Sequence, residues 1–331
     1  MALPSSVFAE AADLEDLPDG KKAALKDDRL KSTLAVSALA SLSAVLPLWK
    51  AANAADIVTA LASFTSAEDP WTGRQSHAES TEILRTFTTQ DRYHWPVIEQ
   101  ILKERIRPLF AKTKNPAITA GGRKNFHPVP LPRFDASTLD PETKPWKFRE
   151  VHTTTVFAWI ISQYSPERRD ELETHFPLLV PPLLALIDDE TLSIKTRGCS
   201  LLLTTLLKPI RESNSDILKR TNLSSVFEDA VRPCLLSLPS ITQEDDSIHL
   251  LERAYPALLS LLQTSHRQPS EDPRPQAYIK GITSLLRDHL IPSFHHTSTT
   301  NPASAESTSL SSFASFPYPR LSTLLLAQIH A

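Results

Sequence analysis

Paired carboxylates bind divalent cations, and the pairs that stand at helix ends here are Asp188-Asp189 and Asp245-Asp246. One pair falls between two apolar helical runs and the other where a helix begins. Electrostatic capping of helix ends is therefore the stronger reading. Cys199 lies two residues from Arg197, a neighbour that lowers a thiol's pKa and so creates a nucleophile. Yet it sits on an apolar stripe with no histidine close in sequence, which favours an inert core thiol. His295-His296 is the one close histidine pair, and its Ser/Thr-rich surroundings offer no outer groups to orient metal ligands. Gly121-Gly122-Arg123-Lys124-Asn125 combines backbone freedom with positive charge, as a phosphate cradle does. With no strand before it and no helix after it, a solvated loop is favoured. Walker, dinucleotide-Gly, GxSxG, HExxH and EF-hand spacings do not occur. No catalytic residue, metal ligand or cofactor-binding residue is assigned.

The elements that would position any site centre on Glu173–Leu207. Leu178, Leu179, Pro182, Leu183, Leu186 and Ile187 recur at three- and four-residue steps and form one apolar stripe. Asp188-Asp189-Glu190 interrupts the pattern as a turn. Leu192, Cys199, Leu202, Leu203, Leu206 and Leu207 form a second stripe. Two antiparallel helices on so short a loop make an αα-hairpin. Neither helix hides its apolar face alone, so the unit requires stacked neighbours. Pro181 inside the first helix, Asp189 in the turn and Ile194-Lys195 opening the second resemble a HEAT repeat. The expected fold is all-α, an α-solenoid of HEAT-like helical hairpins.

Composition agrees. A chain of 331 residues has room for one elongated or two compact domains, and 41% apolar residues support a sizeable core. A net charge of −3 gives no global pull toward nucleic acid or membrane. Six glycines are too few and too scattered for an α/β nucleotide-binding fold. The 27 prolines cluster at helix starts, kinks and loops. Cys199 and Cys234, both on apolar stripes, read as buried free thiols of a reducing compartment. The first residues lack the basic start of a signal peptide. The longest apolar run, Phe176 to Ile187, falls short of the about 20 residues of a membrane helix.

Along the chain, residues 1–24 read as irregular and 25–110 as an N-terminal helical region. Its first helix carries a stripe through Leu30, Leu34, Ala38, Leu42, Val45, Leu46 and Trp49. Asp69-Pro70 reads as a helix start. Residues 111–144 form a Pro-rich loop and 145–291 the HEAT-like core, with capping-box spacing at Ser225/Glu228 and a start near Thr242 and Asp245. Pro256 is expected to kink the helix that follows, and Asp272-Pro273 to open the next one. Residues 292–316 read as a flexible Ser/Thr-rich segment. Residues 317–331 begin a further helix that stops without a cap, so the chain reads as incomplete there or completed by a partner.

The segments KPWKFREVHTTTVFAWII, LLVPPLLALIDD and LKRTNLSSVFEDAVRPCLLSLPSITQEDDSIHLLERAYPALLSL resemble the fungal branch of the Tel-two-interacting-protein-two family. SVFEDAVRPCLLSLPSIT followed by AYPALLSL is the closest part, and residues 1–110 carry no matching motif. The resemblance implies a noncatalytic subunit of the TTT complex, cytoplasmic and nuclear. Its partners would be a larger HEAT-repeat subunit and the third TTT member. Through them it would act with the Hsp-ninety chaperone system on phosphatidylinositol-3-kinase-related kinases. No cofactor, direct nucleic-acid contact or membrane contact is implied. A different solenoid adaptor, for nuclear transport or vesicle trafficking, is the alternative, and an enzyme with a composite site comes third. Stable interfaces use aromatic and arginine anchors. Trp146, Lys147, Phe148 and Arg149 are the candidates, with packing of Trp146 and Phe148 against the next helix as the favoured competing role.

Overall fold

A computed structural model describes Pro4 and residues 19–113, 115–119, 121–128, 141–239, 241–266, 276–298 and 317–330. The fold is all-α, of the helical-repeat class; its described residues hold no strand, only an isolated antiparallel bridge between Ile118 and Lys124. Two compact units divide the chain: Met1–Pro116 with His127–Pro182, and Ala117–Phe126 with Leu183–Ala331.

In the first unit, α1 (Asp19–Ser43) packs along α3 (Arg74–Thr88), and α2 (Ala54–Ala62) packs on α3. Small and β-branched side chains let α2 be enclosed almost all round: Ala54, Ala55, Ile57, Val58, Ala60, Leu61 and Ala62 are buried. The helix start expected at Asp69-Pro70 falls instead at Gly73, whose N–H donates to Ser76 Oγ at 3.0 Å. Asp69 is buried and accepts from the Thr155 hydroxyl, so its carboxylate serves tertiary packing rather than a helix end. A single long helical run follows as α4 (Asp91–Ile101), a π turn (Leu102–Ile106) and α5 (Arg107–Phe110). The short α6 (Pro145–Phe148) and α7 (Thr153–Ser162) then lead to α8 (Arg169–Ile187).

The second unit takes the last residues of α8 and continues through α9 (Leu192–Leu201), a π turn (Leu202–Leu206), α10 (Leu207–Glu212), α11 (Ile217–Thr221) and α12 (Leu223–Val231). A 3₁₀ turn (Arg232–Leu236) precedes α13 (Glu244–Ser265), on which α9, α10, α12, α14 (Gln276–Leu285) and α16 (Pro319–His330) all pack. Leu250, Leu251, Ala254, Ala257, Leu258 and Leu261 of α13 are essentially inaccessible, as its central place requires. Helix α13 runs on through Pro256 and starts at Gln243 rather than Thr242, and α12 starts from Asn222 in the left-handed region, ahead of the Ser225 box. The Asp272-Pro273 start lies outside the described residues.

Two loop expectations change. Residues 292–298, read as part of a flexible segment, belong to α15 (Ile291–Ser298), which packs on α16. The hydroxyls that suggested a loop are satisfied locally: Thr297 donates to Phe294 O at 3.1 Å and accepts from Ser322 at 3.2 Å. The remainder, 299–316, lies outside the described residues. Within the 111–144 loop, residues 117–119 and 121–126 belong to a pinned turn. Lys124 N–H donates to Thr221 O at 3.0 Å and its ammonium to Ser225 Oγ at 2.8 Å, with Gly122 at φ 64° closing the bend.

Gly198 decides the hairpin. A Cβ there would lie 2.8 Å from Ile187 N and 3.0 Å from the Leu186 carbonyl carbon, so α9 approaches the end of α8 at backbone distance. Alanine normally gains about 1 kcal/mol over glycine within a helix. Overpacking against immovable backbone costs about 1–3 kcal/mol and wins. Gly198→Ala is therefore expected to lower the urea midpoint; an unchanged midpoint would show that α9 slides freely.

Candidate partner-binding surface

The four anchor candidates sit on one helical turn. Pro145 occupies the first position of α6, where its missing N–H costs nothing, and Arg149 follows the last residue. The turn drives Trp146 inward. Its side chain is 0% exposed, stacked on Phe110 at 5.0 Å with 13° between rings, and its indole N–H donates to Thr113 Oγ1 at 3.2 Å. Trp146 is thus a core residue and leaves the anchor set, because both its apolar ring and its one donor are already used. Lys147 and Phe148 remain half-buried, with the ammonium 5.4 Å from the ring centroid. Arg149 is exposed and pairs with Glu142. The structure keeps Lys147, Phe148 and Arg149 together at the surface and removes Trp146.

A second surface had a sequence signal whose meaning only packing reveals. The predicted stripe on the first helix does not face the core. Leu30, Leu34, Leu42, Val45 and Leu46 are 50–79% exposed, while Leu25, Ser32 and Val36 form the buried side. Near its C-terminal end a groove of about 480 Å³ is lined by Ala40, Ala44, Trp49, Ala78 and Ile83 together with Glu79 and Glu82. Clustered large apolar side chains in water mark interaction sites on soluble proteins.

The residues that suggested chemistry are held in structural roles. Asp189 is buried and its Oδ1 accepts from Thr191 N–H at 2.9 Å, which closes the hairpin turn. Asp245 pairs with Arg320 in the first turn of α13. His295 and His296 lie in the last turn of α15. Among the described residues, no three His, Cys, Asp or Glu side chains gather as a metal would require. Cys199 and Cys234 are buried free thiols, as their place on apolar stripes implied. The Cys234 S–H lies 3.9 Å from Ala230 O, one turn back. Hydrogen bonding with Cys234, then burial, push the Cys199 thiol well up, whereas Cys199, aided by Lys195, pulls Cys234 down against its own burial. Apolar periodicity placed each on a stripe but says nothing about which stripes meet.

This is an all-α helical-repeat protein that presents surface rather than a catalytic cleft as its candidate site. Residues 57–331 match the Tti2 family, and the chain belongs to it. Family membership supports a place as a subunit of the TTT complex. Curated proteins and solved structures give no match. Helix α1 precedes the matched region. No helix of the described residues is long and apolar enough to cross a membrane.

Two buried histidines set an acid limit. Burial pushes His94 down to about 4, with Asp91 opposing, and also pushes His152 down to about 4. Both are neutral when folded, with His94 Nε2 and His152 Nδ1 enclosed without a hydrogen-bond partner. The unfolded chain takes up protons near pH 6.5, the folded chain only near 4, so stability is lost as pH falls between those values. Thermal midpoints measured from pH 7 to 4 are expected to fall across that window. Replacing both histidines with glutamine should flatten the decline, and an equally steep decline in that variant would assign it to carboxylates.

Proposed function

We propose that this protein is a noncatalytic scaffold of the TTT complex. It holds the larger HEAT-repeat subunit and, with the third TTT member, supports maturation and stability of phosphatidylinositol-3-kinase-related kinases alongside the Hsp-ninety system, in cytoplasm and nucleus. The family match over 57–331 carries this reading. The exposed apolar side of α1 and the turn after it support it physically, since removing five large side chains from water is a gain that only a partner can realise. Function then lies in complementarity: apolar area supplies affinity, and a few anchored side chains fix register. Phe148 and Arg149 are the anchors proposed on the α6 surface, with Lys147 covering the ring.

Affinity capture of the full chain from cells, followed by mass spectrometry, is the direct test. Recovery of the larger HEAT subunit, the third TTT member and kinases of this class is expected. Recovery of transport or coat components instead would replace the proposed role with that of another solenoid adaptor. A Phe148→Ala/Arg149→Ala double variant should weaken capture of the larger subunit about tenfold or more while keeping its circular-dichroism spectrum. Trp146→Ala should lower stability by about 3–5 kcal/mol, as loss of a buried aromatic does. Undiminished capture by the double variant would move the interface away from α6.

A further inference from the structure

Helix α1 has two apolar sides, and the fold of the first unit uses one of them. Leu25, Ser32 and Val36 are buried where the helix packs along α3. On the opposite side Leu30, Leu34, Leu42, Val45 and Leu46 stand exposed, with Ala38 exposed among them. Leu46 N–H donates to Leu42 O at 2.8 Å, so the helical path carries the stripe beyond Ser43.

The stripe is symmetric. Leu30, Leu34, Ala38, Leu42 and Leu46 follow at four-residue steps, a single ridge of a helix surface. Counted from Ala38, a leucine lies four and eight residues away in each direction. The ridge therefore reads the same from either end, which is what an isologous two-fold contact demands of a surface. We propose that the outer face of α1 docks a second copy of this chain, antiparallel about a two-fold axis at Ala38. Leu34 of each copy meets Leu42 of the other, and Leu30 meets Leu46. Ala38 meets its own counterpart, where its small side chain lets the helix axes approach to about 8–10 Å.

Charge favours the same occupant. Near a two-fold axis each charged residue approaches its own copy, and like charges so placed repel. From Ser32 to Trp49 the chain carries no charged side chain, although the outer face of a surface helix is ordinarily charged. Lys31 and Lys50 are the first charges on either side, and Lys31 pairs with Asp27 at 2.6 Å within its own helix. Unlike a two-fold contact, a heterologous partner puts no such demand on the stretch. Helix α1 also precedes the matched region 57–331, so the family match does not account for this surface. Five aliphatic side chains supply less than the about 800 Å² per partner of a standard interface, which sets the affinity in the micromolar range. The dimer goes beyond the proposed complex role and does not rest on it; where both hold, the assembly carries two copies of this subunit.

Sedimentation equilibrium of the purified full chain, from about 1 to 200 µM, is expected to show monomer passing to dimer and to nothing larger, because a two-fold contact closes. Leu34→Glu/Leu42→Glu should raise the dissociation constant at least about tenfold. Both side chains are exposed, so its circular-dichroism spectrum and thermal midpoint should match the wild type. Under a mild oxidant, Ala38→Cys is expected to give a disulfide-linked dimer with itself. Leu30→Cys and Leu46→Cys, mixed, should link to each other in preference to themselves. A wild-type chain that stays monomeric throughout the range would overturn the proposal, whatever else covers the stripe. A dimer left intact by the double variant would place the contact elsewhere and overturn it equally. Leu30→Cys linking chiefly to itself would show a parallel pairing and reject the two-fold at Ala38. No other subunit is present in these measurements, so their failure leaves the capture test of the complex role untouched, and the reverse holds as well.

Discussion

The approach of α9 to the last turn of α8 is the constraint on which the second unit rests. It is set by backbone, since Gly198 has no side chain and faces Ile187 N and the Leu186 carbonyl carbon. Asp189 fixes the intervening turn through Thr191 N–H. With the hairpin drawn this close, the other side of α9 is free to pack on α13, and α13 in turn collects α12, α14 and α16. A wider hairpin would leave a gap along this chain of contacts, and close-packed interiors tolerate little lost contact. One residue without a Cβ thus governs packing several helices away.

Prolines impose the second constraint, and the chain meets it the same way three times. A proline inside a helix cannot donate to the carbonyl four residues back and collides with it. The π turns at Leu102–Ile106, Leu202–Leu206 and Leu286–Leu290 lie just ahead of Pro108, Pro209 and Pro292. Each widened turn absorbs the missing donor and lets the helix continue, so that two helical stretches act as one long wall. Two buried polar groups of the first unit are matched by specific partners. Trp71 donates to Ser63 O at 2.8 Å, and Tyr164 OH meets His175 Nδ1 at 2.8 Å. Such bonds contribute about 1 kcal/mol each, but they fix which neighbours are accepted.

Helical periodicity made the all-α hairpin architecture legible, because a stripe at three- and four-residue steps has one low-energy solution. The turn aspartate and the apolar second helix of the Glu173–Leu207 hairpin were legible for the same reason. What periodicity does not encode is which stripe is covered. The stripe through Leu30, Leu34 and Leu42 reads like a core face and stands in water, while Trp146, a candidate anchor for which packing was the favoured role, lies against Phe110. Composition misled at residues 292–298, where Ser and Thr hydroxyls find partners within and beside a helix.

The exposed stripe and the buried Trp146 share a cause that bears on function. A sequence records how much apolar surface each helix carries, and the fold then covers only part of it. Covering Trp146 satisfied both a large ring and a donor that is expensive to leave unpaired. The leucines of α1 carry no such obligation; exposed, each loses hydrophobic stabilisation but strands no polar group. A helix that already buries Leu25 and Val36 against its neighbours can keep that surface open and still be held in place. For a protein whose family works in an assembly, that uncovered area is the energy available to binding, and the constraint that keeps it uncovered is the packing of the opposite face.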